Sequence, residues 1–334
     1  MKKLLFLILV FVTAGCESLA YYSQAIRGQL GLVGAARPLS AWIADPATPP
    51  DLRQRLESAQ RIRDFASRRL ALPENGSYGS YAELGRPYAV WNVYAAPRFA
   101  VEARQECFPI AGCVSYRGFF SEEDARRHAA RLREGGNDVY LGGVPAYSTL
   151  GWFDDPLLST FIRYPDVQLA RLMFHELAHQ RVYVKGDTTF NESFAVTVEE
   201  EGVRRWLEVE GRSGELDALR AARLRRQEFA ARVAQTRERL SQVYQEKTSD
   251  EEKLKRKAEE WEKLRRDYPN AVPAEPNNAY LVSIALYTQL VPEFERLLAG
   301  CGGDLKEFYS RVEALAARSG ARTALTKAGC LPAA

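Results

Sequence analysis

His175-Glu176-Leu177-Ala178-His179, followed by Asn191-Glu192-Ser193-Phe194-Ala195, is the stretch on which the fold of this chain turns. Two histidines four positions apart share one face of a helix. Their imidazoles can hold a single Zn²⁺, and the intervening Glu176 can reach the metal's water as a general base. Histidine is scarce: the 334 residues contain three, and the third, His128, lies far off in the chain. A catalytic zinc needs a third protein ligand and one open position. No further histidine follows the motif, which makes Glu192 the candidate. A helix from about Asp166 can run to about Val184, and Gly186-Asp187-Thr188-Thr189 supplies a reversal. Asn191 is then expected to cap a second helix. Packed antiparallel about 8–10 Å away, that helix returns its first residues to the side of His179. As a first-turn acid, Glu192 would also be favoured by the helix dipole alone.

The two segments together resemble the gluzincin metallopeptidases, above all the zinc aminopeptidases whose third ligand lies in a similar Asn-Glu-x-Phe-Ala. More closely, the chain resembles a family of bacterial, lipoprotein-type proteins described as aminopeptidases, which carry His-Glu-Leu-Ala-His-Gln and Asn-Glu-Ser-Phe-Ala. The resemblance spans most of the mature chain, including Gly143 to Trp152, Tyr164 to Leu207 and Asn277 to Pro292. It implies that His175, His179 and Glu192 are zinc ligands and that Glu176 is the catalytic acid/base. It also implies a thermolysin-like core. Two departures stand out against the well-studied aminopeptidases. The spacing to Glu192 is shorter, and the Gly-x-Met-Glu-Asn segment that recognises the substrate's free amine is absent.

The first residues point to export. Lys2 and Lys3 precede the apolar run Leu4 to Val12, and Thr13-Ala14-Gly15-Cys16 follows. A basic start, a short apolar stretch and small residues before the cut describe a signal peptide over residues 1–15. The run is well short of the ~20 residues a spanning helix needs. Ala-Gly-Cys resembles a bacterial lipobox, with lipid attached to Cys16 and the chain anchored facing the periplasm. Glu17 after the cysteine leans towards the outer membrane by resemblance to lipoprotein sorting rules. Simple secretion with Cys16 as a structural thiol is the alternative. Removing residues 1–15 deletes two lysines and no acid, so the net charge falls from +3 to +1. Nothing in that balance suggests nucleic acid. The remaining cysteines are Cys107, Cys113, Cys301 and Cys330. In an oxidising compartment they permit two disulfides, and local closure favours Cys107–Cys113 and Cys301–Cys330.

Periodicity predicts an α+β, mainly helical fold with a small sheet. Leu52, Leu56, Ala59, Ile62 and Phe65 recur at helical spacing. Tyr88 to Ala95 and Cys113 to Phe120 read as strands. Ser121 to Glu134 reads as a capped helix, with His128 on a solvated face among Arg126, Arg127 and Arg131. Asp138 to Leu141, continued by Val144 to Leu150, reads as an edge strand placed to border a substrate cleft. Glu199 and Glu200, about two turns after Glu192, read first as solvated acids, with a second possibility that one orients a metal-bound imidazole. From Glu215 to Tyr268 dense charge with sparse apolar residues predicts two long helices folded back as a hairpin. That hairpin could gate the cleft, bind a protein partner or act as a spacer. Downstream, Tyr287 and Tyr280 are candidates for stabilising the oxyanion, with Tyr287 preferred, and Arg163 and Arg171 are weaker candidates as substrate anchors.

The organisation expected is a signal peptide (1–15), an N-terminal and catalytic region (16–212), the charged hairpin (213–268) and a helical region completing the catalytic domain (269–334). The function expected is zinc-dependent hydrolysis of short peptides in the bacterial envelope, by removal of N-terminal residues. An amine-binding carboxylate would then have to come from elsewhere, with Asp154, Asp155 and Glu199 as candidates. The alternatives are a noncatalytic lipoprotein with structural zinc and a partner-binding hairpin, and a peptidase acting on cell-wall crosslinks.

Overall fold

The computed structural model describes residues 21, 23–108 and 112–327. The lipobox with Cys16 lies outside these residues, as does Cys330. In chain order, helix α1 (23–35) leads into β1 (Arg37–Pro38), α2 (Leu39–Ala44) and the long α3 (Pro50–Leu70). Then come β2 (Ser80–Ala82), β3 (Val90–Pro97), β4 (Glu106–Phe108), β5 (Gly112–Val114) and β6 (Tyr116–Phe119). Helix α4 (Glu122–Glu134), β7 (Asn137–Val144) and β8 (Leu157–Leu158) follow. The two motif helices are α5 (Asp166–Arg181) and α6 (Thr188–Val209). Last come α7 (Leu216–Gln245), α8 (Asp250–Asp267), α9 (Asn278–Thr288), α10 (Val291–Gly300), α11 (Leu305–Ala316) and α12 (Ala321–Lys327). The fold is mainly helical with small sheets. Among the described residues, no helix is long and apolar enough to cross a membrane.

The sheet that serves the site is antiparallel, in the order β6-β3-β7. Alternation sends its two faces to different partners. Trp91, Val93, Ala95, Phe119 and Val139 pack on α4 through Ala125, Ala129 and Leu132. On the opposite face Tyr94 and Ala96 meet Ala279, Val282 and Leu286 of α9. The solvated position expected for His128 is corrected here. Ala125, His128, Ala129 and Leu132 fall on the buried stripe of α4, so His128 is buried, bonds Glu106 at 2.8 Å and lies against the Phe119 ring. Two strand expectations are also corrected. Cys113 to Phe120 breaks at Ser115 into β5 and β6, and β7 ends at Val144, where Pro145 removes a ladder donor.

Helices α3, α5 and α6 form the main core with α10 and α11. Phe194 sits among the rings of Phe294, Phe308 and Tyr309, with centroids 5.8–6.1 Å away. Gly202 of α6 lies against Phe174 and Leu70: a Cβ there would meet them at 2.7 and 2.8 Å. The absent side chain therefore permits the close approach of α5 and α6. Helices α7 and α8 pack on each other with Val233, Leu240, Val243, Trp261 and Leu264 in their seam. They also pack on the body through Val101, Tyr280 and Leu281. Lys257 of α8, buried, pairs with Asp138 at 2.5 Å. The hairpin of β4 and β5 is closed by the Cys107–Cys113 disulfide. Cys301 is disulfide-bonded too.

Candidate metal centre and cleft

Arg171, His175 and His179 follow one another at intervals of four on α5 and share its inward stripe. Helix α5 ends at Arg181 rather than Val184, because Val182 is already extended. Gly186 then turns the chain at φ 81°. The cap of α6 is Asp187, not Asn191: its side chain accepts from Phe190 N at 3.0 Å. Asn191 lies one turn inside the helix and clamps the turn instead. It accepts from Val184 N at 2.7 Å and donates to Val184 O at 2.9 Å. The clamp fixes the neighbouring Glu192 against α5.

The result is a cluster of three donors. His175 Nε2 lies 3.2 Å from His179 Nε2 and 3.2 Å from Glu192 Oε2, and His179 Nε2 lies 3.5 Å from the same oxygen. Three ligands about 2.1 Å from a tetrahedral ion lie roughly 3.4 Å apart, so the spacing fits one metal of zinc's size. The side chains of His175, His179 and Glu192 are 12%, 10% and 8% exposed. Among the described residues this is the group able to hold a metal ion. The donor set also suits such an ion chemically. His175 gives Nδ1 to Glu199 at 2.8 Å, which leaves Nε2 for a metal. His179 Nδ1 is buried without a hydrogen-bond partner.

Glu199 and Glu200 are thus not solvated acids. Glu199 also accepts from Arg171 Nε at 2.6 Å, and Arg171 reaches Glu200 at 3.1 Å. Both interactions take Arg171 out of contention as a substrate anchor. Arg163 is likewise occupied, paired on the surface with Asp51 at 2.6 Å.

Charge in this buried space is strongly shaped by its neighbours. Burial would raise the Glu192 carboxyl, but His179 and His175 hold it down to about 2. Burial would lower the His175 imidazolium, but hydrogen bonds to Glu192 and Glu199 raise it well above its ordinary value. Glu176 does not join the donor cluster. Burial, only partly offset by the two histidines, pushes its carboxyl up, the direction that suits a proton acceptor working near neutral pH.

A cleft of about 290 Å³ opens over the donors, lined by His175, Glu176, His179, Glu192, Tyr116 and Tyr287. Its floor is one face of the sheet, with Asn92 from β3 and Gly118 from β6, and Val144 to Leu150 forms a side. The segment expected to border a cleft does so, although beyond Val144 it is not a strand. Leu150 there holds φ at 57°, a left-handed conformation uncommon for a residue with a side chain.

Tyr287 from α9 lies with its ring nearly parallel to that of His175, centroids 6.3 Å apart, and hydrogen-bonds Tyr94. Tyr280 is far from this role, since its hydroxyl donates to Ala271 O at 2.5 Å inside the α7–α8 cluster. Tyr116 and Asn92 escaped the sequence reading. Tyr116 hydroxyl donates to Glu192 Oε1 at 3.4 Å, and Asn92 Nδ2 approaches the Tyr94 hydroxyl at 3.5 Å. The signal was present in strand alternation, which puts Asn92 and Tyr94 on one face and pairs them with Gly118 and Tyr116.

Of the three carboxylates proposed for amine recognition, none lines the cleft. Asp154 is exposed, and Asp155 is buried behind the wall, accepting from Thr149 N at 2.8 Å. Glu199 is taken by His175 and Arg171. Among the described residues, the acids lining the cleft are Glu176 and Glu192.

Comparison with curated proteins and with solved structures returned no match. A family model described as "Putative aminopeptidase" matches residues 20–325, nearly the whole chain, and the protein belongs to that family.

Proposed function

We propose that this protein is a zinc-dependent aminopeptidase acting on short peptides in the bacterial envelope, anchored to the outer membrane through lipid on Cys16. The observation that carries the reading is the geometry of the cluster. His175, His179 and Glu192 present donors 3.2–3.5 Å apart at the bottom of a cleft, with half-buried Glu176 beside them. Family membership supplies the peptidase class.

Zinc bound at these donors would supply an acidified water and a Lewis acid for the scissile carbonyl. With that group in place, Glu176 would accept a proton from water at a carboxylate oxygen and return it to the leaving amine nitrogen. Desolvation raises its carboxyl above the ordinary range, the direction that favours holding a proton between the two transfers. Glu199 holds the His175 ring and its tautomer. The Tyr287 and Tyr116 phenols border the same space, with Tyr287 placed to stabilise charge developing on the carbonyl oxygen.

Glu176→Gln tests this assignment because it separates binding from chemistry. The variant should bind zinc as the wild type does and lose turnover by about three orders of magnitude or more. Peptide hydrolysis at the wild-type rate by a contaminant-free variant would eliminate the mechanism.

A further inference from the structure

The first described helix, α1, and Tyr21 just before it border the cleft. Tyr21 and Ala25 line it beside Phe120. Three contacts seat α1 there. Gln24 Oε1 accepts the Phe120 N–H at 3.1 Å. A Cβ on Gly28 would stand 2.1 Å from the Phe120 ring, so only a glycine lets the helix lie flat on it. Leu32, one turn further, is buried in the main core.

The covered edge belongs to the strand that floors the cleft. Along an antiparallel strand the N–H and C=O of alternate residues point to the same side. Strand β6 is an edge strand of its sheet, so one side of it faces outward, and just beyond its end the Phe120 N–H is taken by Gln24. An extended peptide adding to a sheet edge uses such groups. A peptide on the β6 edge would meet α1 at Phe120, where the next donor is already taken.

Among the described residues, the two carboxylates that line the cleft, Glu176 and Glu192, have other work, and neither is left for an ammonium group. We propose that α1 is an end wall: it stops the substrate on its N-terminal side and so limits cleavage to the first residues of a peptide. The inference rests on the aminopeptidase reading, which sets the end that is stopped. Tyr21 and Ala25 then set the size of the N-terminal side chain accepted, and a free terminus is selected by shape rather than by a paired charge.

The test uses the full-length, zinc-loaded protein with free and N-acetylated peptides whose first residue is Ala, Leu or Phe. Ala25→Trp narrows the end of the cleft. It should lower kcat/KM at least about tenfold more for Phe-led than for Ala-led peptides, the scale of steric discrimination by a pocket. Gly28→Leu should unseat α1 and raise internal cleavage of acetylated peptides by about tenfold or more. Zinc stoichiometry and thermal melting report whether each variant is folded. Should Gly28→Leu fail to fold, the half-exposed Ala25 still gives a decisive size series. An unchanged Phe-to-Ala preference in Ala25→Trp, or rapid internal cleavage of acetylated peptides by the wild type, would overturn the end wall and leave the peptidase intact. Absence of any zinc-dependent hydrolysis by the wild type would instead remove the aminopeptidase reading, and the proposal with it.

Discussion

Glu199 offers the sharpest test of how the centre is held. Its carboxylate is buried, with one oxygen 2.8 Å from His175 Nδ1 and the other 2.6 Å from Arg171 Nε. The first contact fixes the tautomer that leaves His175 Nε2 as a donor; the second fixes the carboxylate. Removing such a partner typically costs 10–100-fold in metal affinity, or about 1.4–2.7 kcal/mol. Glu199→Gln keeps an acceptor and loses the charge, so it should fall near the lower figure. Glu199→Ala removes both and should approach the upper one. Glu200→Gln is the matched control. It disturbs Arg171, Arg223 and Arg226 without touching His175, and its zinc affinity should stay within about twofold of wild type. Competition for zinc against a chromophoric chelator at fixed pH measures all three. Wild-type affinity in Glu199→Ala, or an equal loss in Glu200→Gln, would refute the positioning role.

Asp155 should make stability depend on pH. Burial raises its carboxyl from 3.8 to about 6, so the folded state binds a proton that the unfolded chain has released. That contribution is complete below about pH 4 and is lost as pH rises through about 6, on the order of 3 kcal/mol in all. Asp155→Asn should therefore melt higher than wild type at pH 7.5 and equally at pH 4; equal melting at both values would contradict this account. Phe194→Ala should cost about 3–5 kcal/mol in denaturant unfolding, because the cluster of Phe294, Phe308 and Tyr309 cannot close over the cavity. A loss under 1 kcal/mol would mean the core relaxes. Mass spectrometry of membrane fractions should find Cys16 lipidated at the start of the mature chain, and an unmodified Cys16 would exclude the anchor.

Features carried by local pattern were readable from the sequence. The helical spacing of Leu52 to Phe65 is α3, and the two dense charged segments are α7 and α8, with Ser249 capping the second. His175, His179 and Glu192 could be brought together on paper because two helices and one short turn separate them. What failed depended on contacts distant in sequence. His128 looked solvated beside three arginines, yet its stripe on α4 faces the sheet and Glu106 supplies its partner. Asn191 looked like a cap because it is a good one; Asp187 was nearer the turn and took the role. For Tyr116 strand alternation gave only a face; its value lies in the register that sets β6 beside β3 and brings its hydroxyl to Glu192.

The charged helices show why such contacts matter to the centre. Glu200, next to the residue that orients His175, is met by Arg226 at 2.9 Å and Arg223 at 3.2 Å, both from α7. Arg223 also reaches Glu295 of α10 at 2.5 Å. A guanidinium and two carboxylates largely withdrawn from water would be costly in isolation; removing one member leaves an uncompensated buried charge. Here Arg171 is balanced by Glu199 and Glu200, and the excess on Glu200 is balanced by α7. Arginines that read only as part of a densely charged hairpin are therefore the outer end of a chain of ion pairs. The inner end of that chain is the imidazole of His175. Helix α7 thus balances the charge of Glu200 on the far side of Arg171, while the ring of His175 is held by Glu199, so a change confined to Glu200 leaves the Glu199–His175 contact in place.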